Sequence, residues 1–507
     1  MDTRAQLNPV VHQRHCWECM RRRLVCDFER PTCNKCRSAG VACPGYDEKK
    51  PLRWLAPGKV TSRARKRRFP PGTDRSSSVS SEETTNKQAV PQTSVGSELL
   101  RIPNPGRELK SETCTMVEAV RYFNDYVYPD FRAMHELAPN PYLGQFPLDA
   151  LHQMPMSICH TLVYLALGHR IHRVYPEDHC RSLARLRPSL YQHRGLALRS
   201  LTELMGNLSN QMTIDLAIAS IMLFLIVDEL NETVIGKARQ LPSVDWQHHF
   251  AAAMELIKLR GGLASLAHSS EYLKPLILHL LILGVMANTT TPPSQHIPPT
   301  SQLELIDIMT ELYGDGIYPI LLCPPYLLMD VIKINNLRFQ TTSSPITEIT
   351  RATAHKILEH IEAFSPEDWT GTNSEAREDW LLLGRMYKSS VALYCISSLQ
   401  NLSILPSSKY YTAMRTVHGT RLYTLLPKVT HRPRIKHLTI WPLVVAGMQA
   451  VDASPNVRRI VDELLSDLSK IMGCPTPMLA SAVFHRFWTS GQTRWDECFD
   501  KAYVFVT

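Results

Sequence analysis

The segment CWECMRRRLVC (16–26) aligns without a gap with CNKCRSAGVAC (33–43), and the three cysteines of each segment fall in register. The full spacing is C-x2-C-x6-C-x6-C-x2-C-x6-C. The cysteines are Cys16, Cys19, Cys26, Cys33, Cys36 and Cys43. An internal repeat of this kind predicts two equivalent halves around one shared centre.

Six thiolates at short spacings indicate a metal cluster. One tetrahedral zinc takes four thiolates and would leave two unused. Two zincs offer eight positions, which six thiolates fill only if two of them bridge both metals. We therefore predict two zinc ions, with a disulfide framework or an iron–sulfur cluster as the alternatives. Residues 1–15 show no secretory signal, which favours reduced thiols and metal over disulfides.

The pattern resembles the fungal Zn2Cys6 binuclear cluster, the DNA-binding module of a large class of fungal transcription factors. The match includes Pro31, two residues before the fourth cysteine, and Gly45-Tyr46 after the sixth. The resemblance implies a small domain of two short helices around two zincs, related by a pseudo-twofold axis. It also implies that Cys16 and Cys33, the first cysteine of each half, are the bridging ligands.

Positive charge is concentrated in the same part of the chain. Residues 1–75 contain 18 Lys and Arg against 7 Asp and Glu, whereas residues 76–507 contain 38 against 40. A compact basic region on a near-neutral body predicts an acidic partner for that region alone.

Three consecutive arginines distinguish the first half of the repeat from the second. Arg21, Arg22 and Arg23 align with the uncharged residues 38–40, so metal binding does not explain them. A short helix would spread them over about two-thirds of its circumference, so that some reach base edges and others phosphates. In the resembled family this helix reads a CGG triplet in the major groove. By position, Arg22 and Arg23 match its base-reading pair, and Arg21 is a phosphate contact or a solvated charge.

Two positions depart from the resembled family. Met20 and Val25 stand where that family usually has Arg or Lys. Fewer cations predict a weaker phosphate contribution to DNA binding, which is the salt-sensitive part. The same departures motivate a competing hypothesis, a zinc-stabilised nuclear interaction or co-regulator protein whose cluster does not read DNA sequence.

The region that follows has the composition of a linker. We predict a flexible N-terminus over 1–15, a cluster domain over 16–46, and a basic, then Ser- and Pro-rich linker over 47–112. Within the linker, a basic run predicts a nuclear localisation signal or added DNA backbone contacts, with a solvated charge run as the alternative. The run consists of Arg63, Arg65, Lys66, Arg67 and Arg68.

From about residue 113 the pattern is helical. The segments 246–262 and 380–400 carry apolar residues at helical spacing, and Gly261-Gly262 predicts the end of the first helix. No run shows the alternation of a strand, so we predict a large all-α domain over 113–507.

Two apolar runs predict buried helices. The runs at 216–227 and 276–287 are about 12 residues long, below the roughly 20 that span a membrane. We therefore expect no membrane partner.

The C-terminal region resembles the fungal-specific transcription factor domain. The resemblance rests on the Trp-x2-His…Arg-Gly-Gly helix (246–262), on WPLVVAG (441–447), and on Trp488 and Trp495 near the end. His249 is expected to be a packing residue, and the seven other cysteines small core residues. No GxSxG, P-loop or HExxH motif occurs, so an enzyme is not expected.

These features together predict a nuclear, zinc-dependent transcription factor that acts on RNA polymerase II transcription of a metabolic or biosynthetic gene set. The expected partners are double-stranded DNA and the transcription machinery. Because a single triplet recurs far too often to specify a gene, we also expect a homodimer or a partner factor.

Overall fold

The computed structural model describes part of the chain, in nine ranges. They are residues 15–46, 112–138, 144–173, 179–236, 245–269, 271–297, 302–314, 322–371 and 376–506. The chain divides into two compact units, residues 1–97 and residues 98–507. Except for its last residue, the predicted linker lies outside the described residues, and so does all but the last residue of the predicted N-terminal segment.

The first unit contains two short helices, α1 (Trp17–Arg22) and α2 (Asn34–Ser38), one in each half of the repeat. Cys16 and Cys33 are the N-caps, and each Sγ accepts a hydrogen bond from the backbone N–H three residues later, at 3.4 Å in both halves. The N–H four residues later donates to the same cysteine's carbonyl, at 2.9 and 3.0 Å. The hydrogen bonding therefore repeats between the halves, as the sequence repeat predicts.

The described part of the second unit is helical and contains no strand. Its first helices are α3 (Glu112–Tyr122), α4 (Tyr128–Leu137), α5 (Met156–Arg173), α6 (His179–Met205), α7 (Gln211–Gly236), α8 (Asp245–Leu259), α9 (Leu263–Ser269) and α10 (Lys274–Thr289). A π-helical segment, Phe123–Val127, joins α3 to α4.

The later helices of this unit run to the C-terminal segment. They are α11 (Gln302–Gly314), α12 (Pro325–Gln340), α13 (Glu348–Ala363), α14 (Pro366–Thr370), α15 (Arg377–Asn401), α16 (Lys409–Val429), α17 (Ile440–Gln449), α18 (Pro455–Met472) and α19 (Thr476–Ser490). The 3₁₀ turns are Leu148–His152, Pro293–Gln295, Lys436–Thr439, Ala450–Asp452 and Trp495–Glu497. The predicted all-α class is confirmed.

Helix α8 ends at the predicted glycine pair. Gly261 and Gly262 have φ angles of 110° and 89°, a conformation that glycine adopts without a Cβ penalty. The Gly262 N–H donates to the Ile257 carbonyl at 2.9 Å and closes the last turn. Within α8, His249 packs edge-on against the ring of Phe224, with ring centroids 5.1 Å apart, as expected of a packing residue.

Helices α15 and α17 form the centre of the second unit. Every residue from Ser389 to Leu399 is buried, and so is every residue of α17. The sequence pattern predicted one buried face for α15. Between Ser389 and Leu399 the helix is instead buried on all faces, because α12, α13, α16 and α17 all contact α15, whereas Arg385 nearer its start is exposed.

The two apolar runs lie in α7 and α10, and both are buried helices as predicted. Helix α7 is longer than its apolar run, and the window Gln211–Asp228 is apolar and long enough to cross a membrane by length and composition alone. Just over half of that window is buried within the unit. Burial of this kind is typical of a core helix.

One buried guanidinium joins three parts of the second unit. Arg338 of α12 is 0% exposed. Its Nη1 donates at 2.8 Å both to the Asn288 carbonyl, at the end of α10, and to the Tyr394 hydroxyl in α15. Its Nη2 donates to the Thr291 carbonyl at 3.0 Å and to the carboxylate of Asp496. The C-terminal segment is thereby held against the core by a paired, hydrogen-bonded charge.

Three tryptophans of the resembled motifs donate hydrogen bonds within the core, two of them to Thr289 next to the acceptors of Arg338. The Trp495 indole N–H donates to the Thr289 carbonyl at 2.7 Å, and the Trp441 indole N–H to the Thr289 hydroxyl at 3.0 Å. The Trp488 indole N–H donates to the Gly447 carbonyl at 2.9 Å. A Cβ at position 447 would lie 2.3 Å from the ring of Phe484, which explains the glycine.

Substitution of Arg338 is expected to destabilise the second unit strongly. Arg338→Met leaves Asp496 without its buried partner, which should lower the free energy of unfolding by about 3–5 kcal/mol. Urea unfolding followed by circular dichroism measures this change. Arg459→Met is the control, because its ion pair with Glu463 is exposed and should be worth less than about 1 kcal/mol. Equal effects of both substitutions would contradict the role of Arg338.

Acidification should destabilise the unit through buried neutral histidines. Burial lowers the pKa of His279 to about 4, so between pH 6.5 and 4 the unfolded chain takes up a proton that the folded chain does not. Stability therefore falls as the pH falls across this window, by about 3 kcal/mol for this residue. The free energy of unfolding of His279→Phe, measured at both pH values, should change less than that of the wild type. His485→Phe, at an exposed position, should behave like the wild type.

Candidate metal centre and nucleic-acid interface

The structure brings the six predicted cysteines together in two overlapping groups of four. One group is Cys16, Cys19, Cys26 and Cys33, and the other is Cys16, Cys33, Cys36 and Cys43. Within each group all sulfur atoms lie within 4.8 Å of one another. The groups share Cys16 and Cys33, the two residues that the family resemblance implies as bridging ligands.

The sulfur separations fit two zinc tetrahedra. Cys16 lies 3.6 Å from Cys33 and 3.7 Å from Cys36, and Cys19 lies 3.6 Å from Cys33, all between Sγ atoms. A tetrahedron with Zn–S bonds of about 2.3 Å has sulfur atoms about 3.8 Å apart. A disulfide would require about 2.05 Å, so none of these pairs is a disulfide.

The directions of the thiol pKa shifts repeat between the halves at the second and third cysteines. Burial raises the pKa of Cys19 and of Cys36, the second cysteine of each half. Burial acts in the same direction on Cys26, but backbone hydrogen bonds, first that from Cys16, lower its pKa to about 6. Backbone hydrogen bonds lower the pKa of Cys43 likewise. Zinc binds thiolates, so a bound ion must displace the protons that burial favours at the second cysteines.

Residues outside the six ligands position the two halves. The Cys26 N–H donates to Nδ1 of His15 at 3.0 Å, and the Asn34 N–H donates to the Asp27 carboxylate at 2.9 Å, at the start of α2. The sequence analysis did not identify either His15 or Asp27. The only sequence signal is their position next to a cysteine, which does not reveal the partner.

Tyr46 closes the cluster from the C-terminal side. Its hydroxyl donates to the Glu29 carbonyl at 2.7 Å and lies 3.7 Å from the Cys26 sulfur. The guanidinium of Arg30 lies over its ring, 5.1 Å from the centroid. The Gly45-Tyr46 match noted in the sequence thus corresponds to a contact with the cluster itself.

The three arginines are exposed but not equivalent. Arg21 binds Glu18, with Nε 2.9 Å from one carboxylate oxygen and Nη2 2.5 Å from the other, and this contact raises the pKa of Arg21. Within residues 15–46, Arg22 and Arg23 have no side-chain hydrogen bond or ion pair. Two of the three cations are thus exposed and have no counter-charge within residues 15–46.

Arg23 lies outside the helix that the sequence predicted for all three arginines. Helix α1 ends at Arg22, and Arg23 caps it with φ 58° and ψ 40°, in the left-handed region. The equivalent residue of the second half is Gly40, with φ 63°. In both halves the next residue donates its N–H to the second cysteine's carbonyl, at 2.9 and 3.1 Å, which requires this turn.

The two overlapping sulfur tetrahedra beside exposed arginines define a zinc-cluster protein of the DNA-binding class. The fungal Zn(2)-Cys(6) binuclear cluster domain matches residues 14–53, and the fungal specific transcription factor domain matches residues 118–496. The chain therefore belongs to the fungal-specific transcription factor family, whose members are transcription factors and not enzymes. Two zinc ions are its cofactor.

Relatives of known name support this assignment. The chain is 35% identical over 513 residues to the phomenoic acid biosynthesis cluster-specific transcriptional regulator of Leptosphaeria maculans, covering 100% of this chain and 91% of the relative. It is 43% identical over 42 residues, 8% of this chain and 4% of the relative, to arginine metabolism regulation protein II of Saccharomyces cerevisiae. No solved structure matches the chain significantly.

Zinc content should distinguish the shared cysteines from unrelated ones. We expect two zincs per chain in the wild type and a loss of both in Cys33→Ser, because Cys33 belongs to both sulfur groups. Inductively coupled plasma mass spectrometry on purified protein measures the ratio. Cys114→Ser, at an exposed cysteine outside the cluster, should keep both ions. Two zincs retained in Cys33→Ser would contradict the ligand set.

Proposed function

We propose that the protein is a nuclear transcription factor that reads a CGG-type triplet in the major groove through α1 and the turn after it. The six cysteines, Cys16, Cys19, Cys26, Cys33, Cys36 and Cys43, hold two zincs and so fix the position of α1. Arg22 and Arg23 contact base edges, where arginine paired to guanine O6 and N7 is the commonest specific contact. Arg21, already paired with Glu18, contacts phosphate or stays solvated.

The observation that carries the proposal is the conformation of Arg23. A non-glycine residue in the left-handed region costs on the order of 1–3 kcal/mol, and such strain concentrates at functional sites. The second half uses glycine at the equivalent position and avoids that cost. An arginine held there, exposed and with no side-chain partner among residues 15–46, fits a role in binding another molecule.

The proposed partners follow from the size of the target. Double-stranded DNA is bound at the cluster, and a second copy of the chain or a partner factor supplies further specificity, because one triplet is too frequent a site. The second unit then acts on the RNA polymerase II machinery. The predicted domain bounds stay predictions, as does the nuclear localisation signal at Arg63, Arg65, Lys66, Arg67 and Arg68, which lies outside the described residues.

The proposed targets are the genes of one biosynthetic pathway. The relative that covers the whole chain is named as a regulator specific to a biosynthesis cluster. Similarity over the full length, including the second unit, supports a role of the same kind here.

A second candidate function is a zinc-stabilised co-regulator that does not read DNA sequence. It is favoured by the exposed apolar side chains beside the arginines: Val25 is 79% exposed, Met20 41% and Leu24 39%. These positions would serve a protein partner better than a phosphate backbone. The two functions make opposite predictions for Arg23.

Replacing Arg23 with glycine separates a DNA role from a structural one. Arg23→Gly suits the left-handed turn, so we expect two zincs and unchanged or higher stability. We also expect the preference for CGG to fall by about 1–3 kcal/mol per lost contact. Selection from random DNA with the zinc-loaded full chain, with and without a chelator, measures this preference. Arg21→Ala is the matched control and should keep the preferred sequence.

The outcomes separate the two candidates. Enrichment of CGG by the wild type that disappears with chelator and in Arg23→Gly supports the transcription factor. Equal enrichment of CGG by wild type and Arg23→Gly would reject Arg23 as a reader, and the absence of any enriched sequence with both proteins would favour the co-regulator.

A further inference from the structure

The second unit contains a partly open cavity of about 380 Å³ with mainly apolar walls. Its walls come from the π-helical segment and from α4, α5, α7, α10 and the end of α18. The apolar lining includes Phe123, Val127, Phe131, Leu162, Leu223 and Leu276. Residues of both large hydrophobic clusters of this unit face the cavity, so it lies where the two clusters meet.

One polar side chain on the wall lacks a partner within the part of the chain that the structure describes. His437 is 9% exposed, it lines the cavity, and its Nε2 is buried without a hydrogen bond to any of these residues. An unsatisfied buried polar atom destabilises a fold, so it calls for an explanation. Burial, aided by Lys436, lowers the pKa of His437 to about 4, so the imidazole is neutral near pH 7.

The backbone that lines the cavity departs from regular α-helix at two places. The π-helical segment carries Phe123 and Val127 into the lining, and such segments are frequent at functional sites. Gly473, with φ 63°, lies at another edge, where a Cβ would be 2.7 Å from Nε2 of His169. Burial lowers the pKa of His169 to about 3, so this imidazole is neutral too.

The charges beside the cavity favour an uncharged ligand. Asp130 on the wall binds Nζ of Lys436 at 2.7 Å and Nη2 of Arg173 at 3.3 Å, one with each carboxylate oxygen. Both cations are therefore engaged by a carboxylate. Asp130 is the one charged side chain among the described residues that line the cavity, and a charged ligand would lose its hydration against the apolar walls.

We propose that this cavity binds an uncharged, mainly aliphatic molecule with one hydroxyl or carbonyl group directed at Nε2 of His437. At roughly 30 Å³ per non-hydrogen atom, the volume accommodates about a dozen such atoms. Apolar walls with few convergent polar groups are typical of small-molecule sites. A bound ligand would connect the two hydrophobic clusters and give a hydrogen-bond partner to Nε2 of His437, which has none among the described residues.

The test is titration of the zinc-loaded full chain with 1-decanol, an aliphatic alcohol of suitable size, by calorimetry and thermal melting. We expect saturable binding and a higher melting temperature, with much weaker binding of decanoate. His437→Phe should weaken binding about fivefold, the effect of one net hydrogen bond. Ala219→Met should weaken it at least tenfold, because Ala219 lines the cavity and the larger side chain fills it.

The control and the contradicting outcomes are specific to this cavity. His279→Phe replaces another buried neutral histidine that does not line the cavity, and its affinity should equal that of the wild type. If the wild type does not bind 1-decanol, this result alone overturns the proposal, and no variant is required. Decanoate binding as tightly as 1-decanol would overturn the uncharged ligand class, and unchanged affinity in Ala219→Met would overturn the location.

Discussion

Coordination of two zinc ions by six clustered thiolates, five of them buried, is the constraint on which the DNA-binding part depends. The core of residues 15–46 consists of the cysteines themselves, with only Phe28 and Tyr46 packed against them. Units of fewer than about 40 residues rarely fold on apolar burial alone. The two zincs thus take the place of a hydrophobic core. Because the cysteines flank and cap α1, metal coordination through their sulfur atoms also fixes the position of α1 and of its C-terminal cap.

The second unit is stabilised by a hydrophobic core, as most domains of its size are. Its core is a large set of apolar helices around α15 and α17, and the polar groups inside it are mostly paired, as around Arg338. The charge at Arg338 is costly to bury and is tolerated because four acceptors surround it. The two units therefore owe their stability to different forces, one to metal coordination and one to apolar burial.

Sequence reasoning identified the features that are local or repeated. The cysteine register, the arginines of one half, the end of α8 and the helical class all follow from spacing and composition. It placed Arg23 within the helix, although the alignment with Gly40 held the signal for a left-handed cap. It could not find Arg338, His437 or the cavity, because these depend on contacts between residues far apart in the chain, such as Arg338 and Asp496. The all-round burial of part of α15 was missed for the same reason.

Under the proposal that Arg22 and Arg23 read base edges, the turn at position 23 also limits how the recognition of DNA can change. A left-handed residue excludes β-branched side chains and favours Gly, Asn or Asp over most others. Few replacements at this position can therefore combine a stable cap with a new base contact. Position 22 is the last helical residue and carries no such restriction. Sequence preference can diversify through position 22 at little cost to the fold, whereas position 23 holds it fixed.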